Sequence, residues 1–253
     1  MATFNTPSAI RPLEKLIMDF SHANGHGPLN VFNDFLTYII HGFSPGAPPL
    51  KSWKYKRRQN AAFMEMTYEW TRVMHRRIQN DTDWYDPFGD LYMSISSHNA
   101  KQSQGQYFTP EHICNFMVLC TDVGEKKSGQ RMNDPACGSG RLLLAYHVRH
   151  LGSYLVGEDI NRTCCLMTVC NMLMHGCIGE VIWHDSLRPE QFMQGWKINS
   201  LLTRTGIPTI HRMKEDEYRM SRNMPSHHPV LPFRTNPGLD MDYIESFIGV
   251  LAY

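Results

Sequence analysis

The chain has 253 residues, 42% of them hydrophobic and 19% charged, with a formal net charge of +1. That length supports one or two domains with a sizeable core, and the composition is that of an ordinary globular protein. The near-neutral balance excludes a global field for a polyanion, so any nucleic-acid contact has to come from local patches. The opening Met1-Ala2-Thr3-Phe4-Asn5 is not a basic region followed by an apolar run, and no apolar stretch approaches membrane-spanning length; a cytoplasmic protein without membrane partners is expected.

Residues 1–104 read as a helical N-terminal domain. Helices are predicted over Pro12–Phe20, Val31–His41, Ala61–Ile78 and Gly89–Ser97, broken at Pro28, at Ser44–Pro49 and at Asn80–Asp83. In the third, Phe63, Tyr68, Val73 and Met74 share a rough apolar face. At Gln106 the character changes. Thr109 is expected to cap a helix whose first residue is Pro110, with Ile113, Phe116, Met117 and Cys120 along its apolar side. A short strand ending near Asn133 then meets Asp134-Pro135-Ala136-Cys137-Gly138-Ser139-Gly140, a glycine turn that opens a helix at Arg141. Tyr154–Gly157 is a buried strand ending at Glu158-Asp159. Asn161 caps a helix carrying Leu166, Val169, Cys170, Leu173 and Met174, which Gly176 ends, and Ile178–Trp183 is a further strand. Strand, helix, strand, helix, strand implies a parallel sheet. Beyond Asp185 the pattern decays, and 188–253 reads as an irregular C-terminal segment that could complete the sheet.

Seven cysteines, at 114, 120, 137, 164, 165, 170 and 177, include no Cys-x-x-Cys pair, so neither a disulfide scaffold nor a zinc ribbon is expected, and no metal. Four of them fall, with His175, on or just after one predicted helix and read as small buried hydrophobes.

The turn at 134–140 carries the chemistry. Glycines let backbone approach a ligand, helix-start amides offer hydrogen bonds, and ligands bind at the carboxyl ends of parallel strands. The dinucleotide fingerprint does not fit, because its third glycine falls on Leu143. Instead the turn resembles the S-adenosylmethionine (SAM) loop of N6-adenine DNA methyltransferases, above all the modification subunits of type I restriction systems. Gly105-Gln106-Tyr107-Phe108-Thr109-Pro110 resembles the motif upstream of that loop, and Asp86-Pro87-Phe88-Gly89-Asp90-Leu91-Tyr92 resembles the segment joining the helical domain to it.

The resemblance implies an α/β fold: a Rossmann-like SAM-dependent methyltransferase sheet, here incomplete, preceded by the helical domain, with the SAM-binding core at 105–187. It implies methyl transfer from SAM to the amino group of adenine in DNA, with DNA and a specificity subunit as partners. Donor contacts are expected from Tyr107, Phe108, Thr109 and Pro110, and from Asp134, Pro135, Ala136, Gly138, Ser139 and Gly140. Asp159, with Ile160, is expected at the ribose hydroxyls (Glu158 is the alternative), and Asp185, with Ser186, at the donor's adenine. Lys54, Lys56, Arg57 and Arg58, interleaved with Trp53 and Tyr55, are candidate DNA contacts. A second basic stretch, Arg204 to Arg222, is interrupted by Glu215-Asp216-Glu217.

One element is missing. The family's Asn-Pro-Pro-aromatic motif aims the adenine amino group at the methyl and stacks on the flipped base. The only Asn-Pro here is Asn236-Pro237, without the second proline or the ring. That leaves a fragment, a reduced relative or a donor-binding half that needs a partner, and an alternative function as a catalytically silent SAM-binding or regulatory protein. A methylase of RNA or protein is a third alternative, since a donor pocket does not define its acceptor.

Overall fold

The computed structural model describes residues 6–50, 53–98, 108–122 and 129–223. After a 3-10 turn at Ser8–Ile10 come α1 (Arg11–Asn24), α2 (Pro28–Gly42), α3 (Arg57–Arg77) and α4 (Pro87–His98). Gly25, at φ 65°, supplies the left-handed residue that ends α1. Pro28 opens α2 rather than breaking a helix, because a missing N–H is no loss in a first turn. On α3 the buried face is Phe63, Met66, Trp70, Val73 and Met74, with Tyr68 only half-buried. Thr67 and Thr71 lie in the same stripe and donate to the Phe63 and Tyr68 carbonyls, which is why the apolar periodicity reads untidily.

Helix α5 (Glu111–Thr121) departs from expectation twice. Pro110 occupies the N-cap position, one residue later than predicted. Its buried residues are Cys114 and Val118, whereas Ile113, Phe116, Met117 and Cys120 are exposed. The apolar spacing is helical, but the face it marks is turned outward.

The sheet follows. β1 (Arg131–Asp134), β2 (Tyr154–Asp159) and β3 (Ile178–Trp183) run parallel, connected by α6 (Arg141–His147) and α7 (Arg162–Met174). Asn161 caps α7, its side chain accepting from the Thr163 and Cys164 amides. Past Asp185 the chain is more regular than its sequence suggests. β4 (Gln194–Ile198) pairs antiparallel with β3, a short α8 (Leu202–Thr205) leads to β5 (Ile210–Met213) antiparallel to β4, and α9 (Glu215–Arg222) follows. The order is β1-β2-β3-β4-β5, so among the described residues β1 pairs only with β2. The fold is α/β, with a Rossmann-like parallel half.

Every residue from Cys164 to Met174 is buried. A helix buried on all sides belongs between two layers. On one side of α7 lies the sheet; on the other lies the helical region, with Thr163 bonded to Asn33 across the seam at 2.8 Å. One continuous core therefore runs from Phe32, Phe35, Trp70 and Phe88 through α7 to Leu155 and Ile198. Across the sheet, Val156, Ile182, Met213 and Tyr218 form a smaller cluster. No helix among the described residues is long and apolar enough to cross a membrane.

Candidate functional site

At the carboxyl ends of β1 and β2 a cavity of about 330 Å³ opens, within the roughly 300–1,000 Å³ range of ligand sites. Its walls are Phe108 and Thr109; Cys114 and Met117 of α5; Asp134 and Ala136–Ser139 of the turn; Arg141 and Leu142 of α6; and Asp159 and Cys164. The turn is shaped by Gly138 and Gly140, at φ 57° and 90°. A Cβ at Gly138 would stand 2.9 Å from the Phe108 ring, so glycine is what lets that ring close over the turn.

The wall is acidic. Asp134 ends β1 and its Oδ1 accepts the Ala136 N–H at 3.2 Å. Asp159 ends β2; its Oδ2 accepts the Gly138 N–H at 2.9 Å and its Oδ1 the Asn161 N–H at 2.7 Å. Burial raises the pKa of both carboxyls above the usual Asp range, and backbone hydrogen bonds only partly offset it. Neither has a cationic partner among the described residues. Two half-buried carboxylates without counter-ions across one cavity attract a cationic ligand, the more so where water is partly excluded.

A family profile described as "N-6 DNA Methylase" matches residues 83–206, which span this cavity. Residues 83–206 belong to that family. Similar proteins include the type I restriction enzyme MjaVII methylase subunit of Methanocaldococcus jannaschii, 32% identical over 133 residues, covering 47% of this chain and 22% of that protein. The MpnII methylase subunit of Mycoplasma pneumoniae is 36% identical over 100 residues, covering 36% of this chain and 18% of its own. The EcoEI methylase subunit of Escherichia coli is 32% identical over 118 residues, at 39% and 23%. The chain thus spans about a fifth of the length of the curated relatives it matches.

Around this cavity the predicted site residues divide. Phe108, Thr109, Asp134, Ala136, Gly138, Ser139 and Asp159 come together on the cavity wall, whereas Pro110, Pro135, Gly140, Ile160, Asp185 and Ser186 are not part of it. Gly140 backs onto Thr168 of α7, and Ile160 is 68% exposed. Asp185 makes a local turn, its Oδ1 accepting the Leu187 N–H at 3.0 Å. Tyr107, Asn236 and Pro237 lie outside the described residues. Alternation along β2 separates the two neighbouring acids: Asp159 faces the cavity, while Glu158 points through the sheet to His184, at 2.8 Å.

Among the candidate DNA contacts, Lys56, Arg57 and Arg58 are exposed at the start of α3, but Lys54 is paired with Asp34 at 2.8 Å. The interleaved aromatics are not presented for stacking on bases. Tyr55 is buried, and Trp53 stacks on Tyr38 and donates to Asn60. In the second basic stretch Arg219 pairs with Glu215 and Arg222 approaches Glu158. The cysteines of α7 are buried and their thiols pushed up by burial, and among the described residues no His, Cys, Asp or Glu group is arranged to hold a metal. Sequence reading missed the Cys114, Met117, Cys137, Leu142 and Cys164 walls and Arg141; for Arg141, a cation immediately after the glycine turn was the available signal.

Proposed function

We propose that the cavity binds SAM and that the chain is the donor-binding part of an adenine-N6 DNA methyltransferase of the type I restriction-modification class. The observation that carries this is the pair of unpaired carboxylates, Asp134 and Asp159, flanking the glycine turn. One ligand with an ammonium, a sulfonium and a vicinal diol offers Asp134 a cation and Asp159 two hydroxyl donors. In this reading Asp134 holds the donor's amino group, Asp159 accepts from the ribose hydroxyls, and Phe108 covers the methionine end; the donor itself supplies an electrophilic methyl. Asp185 does not line the cavity, so in this reading adenine recognition rests on the apolar wall of Cys114, Met117 and Leu142. The acceptor is adenine in DNA, with Lys56, Arg57 and Arg58 available to phosphates, and a specificity subunit chooses the sequence, as the similarity to type I methylase subunits suggests. Such a protein works where the DNA is, in the cytoplasm.

Calorimetric titration with SAM and with its demethylated product tests the donor step. One-site micromolar binding of both is expected, and no heat at millimolar donor contradicts it. Transfer of label from SAM to unmethylated DNA then tests the acceptor step. Donor binding without transfer, even with a specificity subunit present, would identify a silent SAM-binding protein.

A further inference from the structure

Asp86 is 2% exposed and does not line the cavity, yet its carboxylate joins four parts of the chain. Oδ1 accepts the Gly89 N–H of α4 and the Asn171 amide of α7, each at 2.7 Å. Oδ2 accepts the Ser139 hydroxyl of the glycine turn at 2.5 Å and Arg141 Nε at 2.6 Å. Charge-assisted bonds of this kind are about twice as strong as neutral ones. The Asn171 amide also donates to the Ser139 carbonyl at 2.8 Å, so Ser139 is gripped at both ends. Arg141 reaches on to Asp90 at 2.6 Å, which the Tyr85 hydroxyl also contacts at 2.9 Å.

The spacing Asp86-x-x-Gly89 has a steric reason. A Cβ at Gly89 would stand 2.0 Å from Asp86 Oδ2 and 2.7 Å from Ser139 Oγ. The backbone ahead of Asp86 is held as well: His175 Nδ1 lies 2.7 Å from the Asn171 carbonyl and its Nε2 accepts the Tyr85 N–H at 3.2 Å.

We infer that Asp86 is the positioning residue of the donor loop, through which the helical region sets the shape of the cavity. It acts through Ser139 and Arg141, which reach the wall while Asp86 does not. The helical region is therefore part of the donor site's construction. This inference rests on the donor reading of the cavity.

The test uses the full chain, with SAM affinity, melting temperature and amide hydrogen exchange read on the same samples. Ser139→Ala removes the loop's hydroxyl bond to Asp86 and leaves Asp86 bonded to Gly89, Asn171 and Arg141. Exchange over residues 138–141 should accelerate about tenfold while α1 to α3 are unchanged, and SAM affinity should fall roughly three- to tenfold. Asp86→Asn should weaken SAM at least as much, and the double variant no more than Asp86→Asn alone, because the two share one bond. If Asp86→Asn does not fold, Ser139→Ala carries the test. Unchanged loop exchange in Ser139→Ala, or fully additive losses in the double variant, overturns the inference. A wild-type chain that fails to bind SAM overturns the donor reading instead, and loop exchange still decides the role of Asp86.

Discussion

The two faces of the sheet treat the same chemistry in opposite ways. On the far face, Glu180 is fully buried and accepts from Arg131 at 2.8 Å, from the Tyr154 hydroxyl at 2.9 Å and from Ser221. Glu158 meets His184 and, at 3.7 Å, Arg222. Burial alone would raise the Glu158 carboxyl, but the hydrogen bond and charge of His184, with Arg222 and Asn133, hold it below the ordinary value. One residue later on the same strand, Asp159 faces the cavity with backbone amides only, and burial leaves it raised. An acid whose lone pairs and charge are answered within the fold is structure; one left with its charge unanswered at a cavity is set for a ligand.

Four predictions break or sharpen that contrast. The largest effect is expected on the far face. Glu180→Ala strands Arg131 and should lower stability by about 3 kcal/mol, read as a fall in the denaturation midpoint. A loss below about 1 kcal/mol would make the far-face network ornamental. Next, Asp159→Ala should weaken SAM by about 1–2 kcal/mol, roughly tenfold, with a smaller loss of stability than Glu180→Ala, since only two backbone amides lose their acceptor. A loss of stability with unchanged affinity would reverse the roles of the two faces.

The third prediction concerns pH. Asp134 and Asp159 have raised folded-state values, so their ionisation opposes folding: that cost is absent below the unfolded pKa and grows as pH rises through the folded one. Glu158 is lowered, so its stabilisation is present above the unfolded pKa and is lost as pH falls through the folded one. SAM affinity should therefore decline as pH drops from neutral toward about 4, the ordinary Asp range. Asp134→Asn and Asp159→Asn should each weaken neutral-pH binding and flatten that profile. A profile identical to wild type in both would remove the carboxylates from donor binding. The smallest effect is Asp185→Ala, which should change SAM affinity by less than about twofold, because the side chain does not line the cavity. A tenfold loss would restore it to the site.

Much of the parallel half is legible in the sequence because its signals are local. The positive-φ glycines, the Asn161 cap and the acids at strand ends each sit within a few residues of what they shape. What lies beyond reading depends on distant partners. The stripe Ile113, Phe116, Met117 announces a helix but not which face is covered. β4, Gln-Gly-Trp-Lys-Ile, lacks a strand's usual composition and owes its place to pairing with β3. Asp86 stands out in the sequence only as part of a family-like segment; its partners lie 53, 55 and 85 residues further on.

The central claim is tested most directly by titrating Asp159→Asn and Glu158→Gln with SAM in parallel with the wild-type chain. The account predicts a roughly tenfold loss for Asp159→Asn, with its melting temperature lowered less than that of Glu158→Gln. It predicts near-wild-type affinity for Glu158→Gln, with a lowered melting temperature. The opposite pairing, with donor affinity following Glu158 and stability following Asp159, would contradict it.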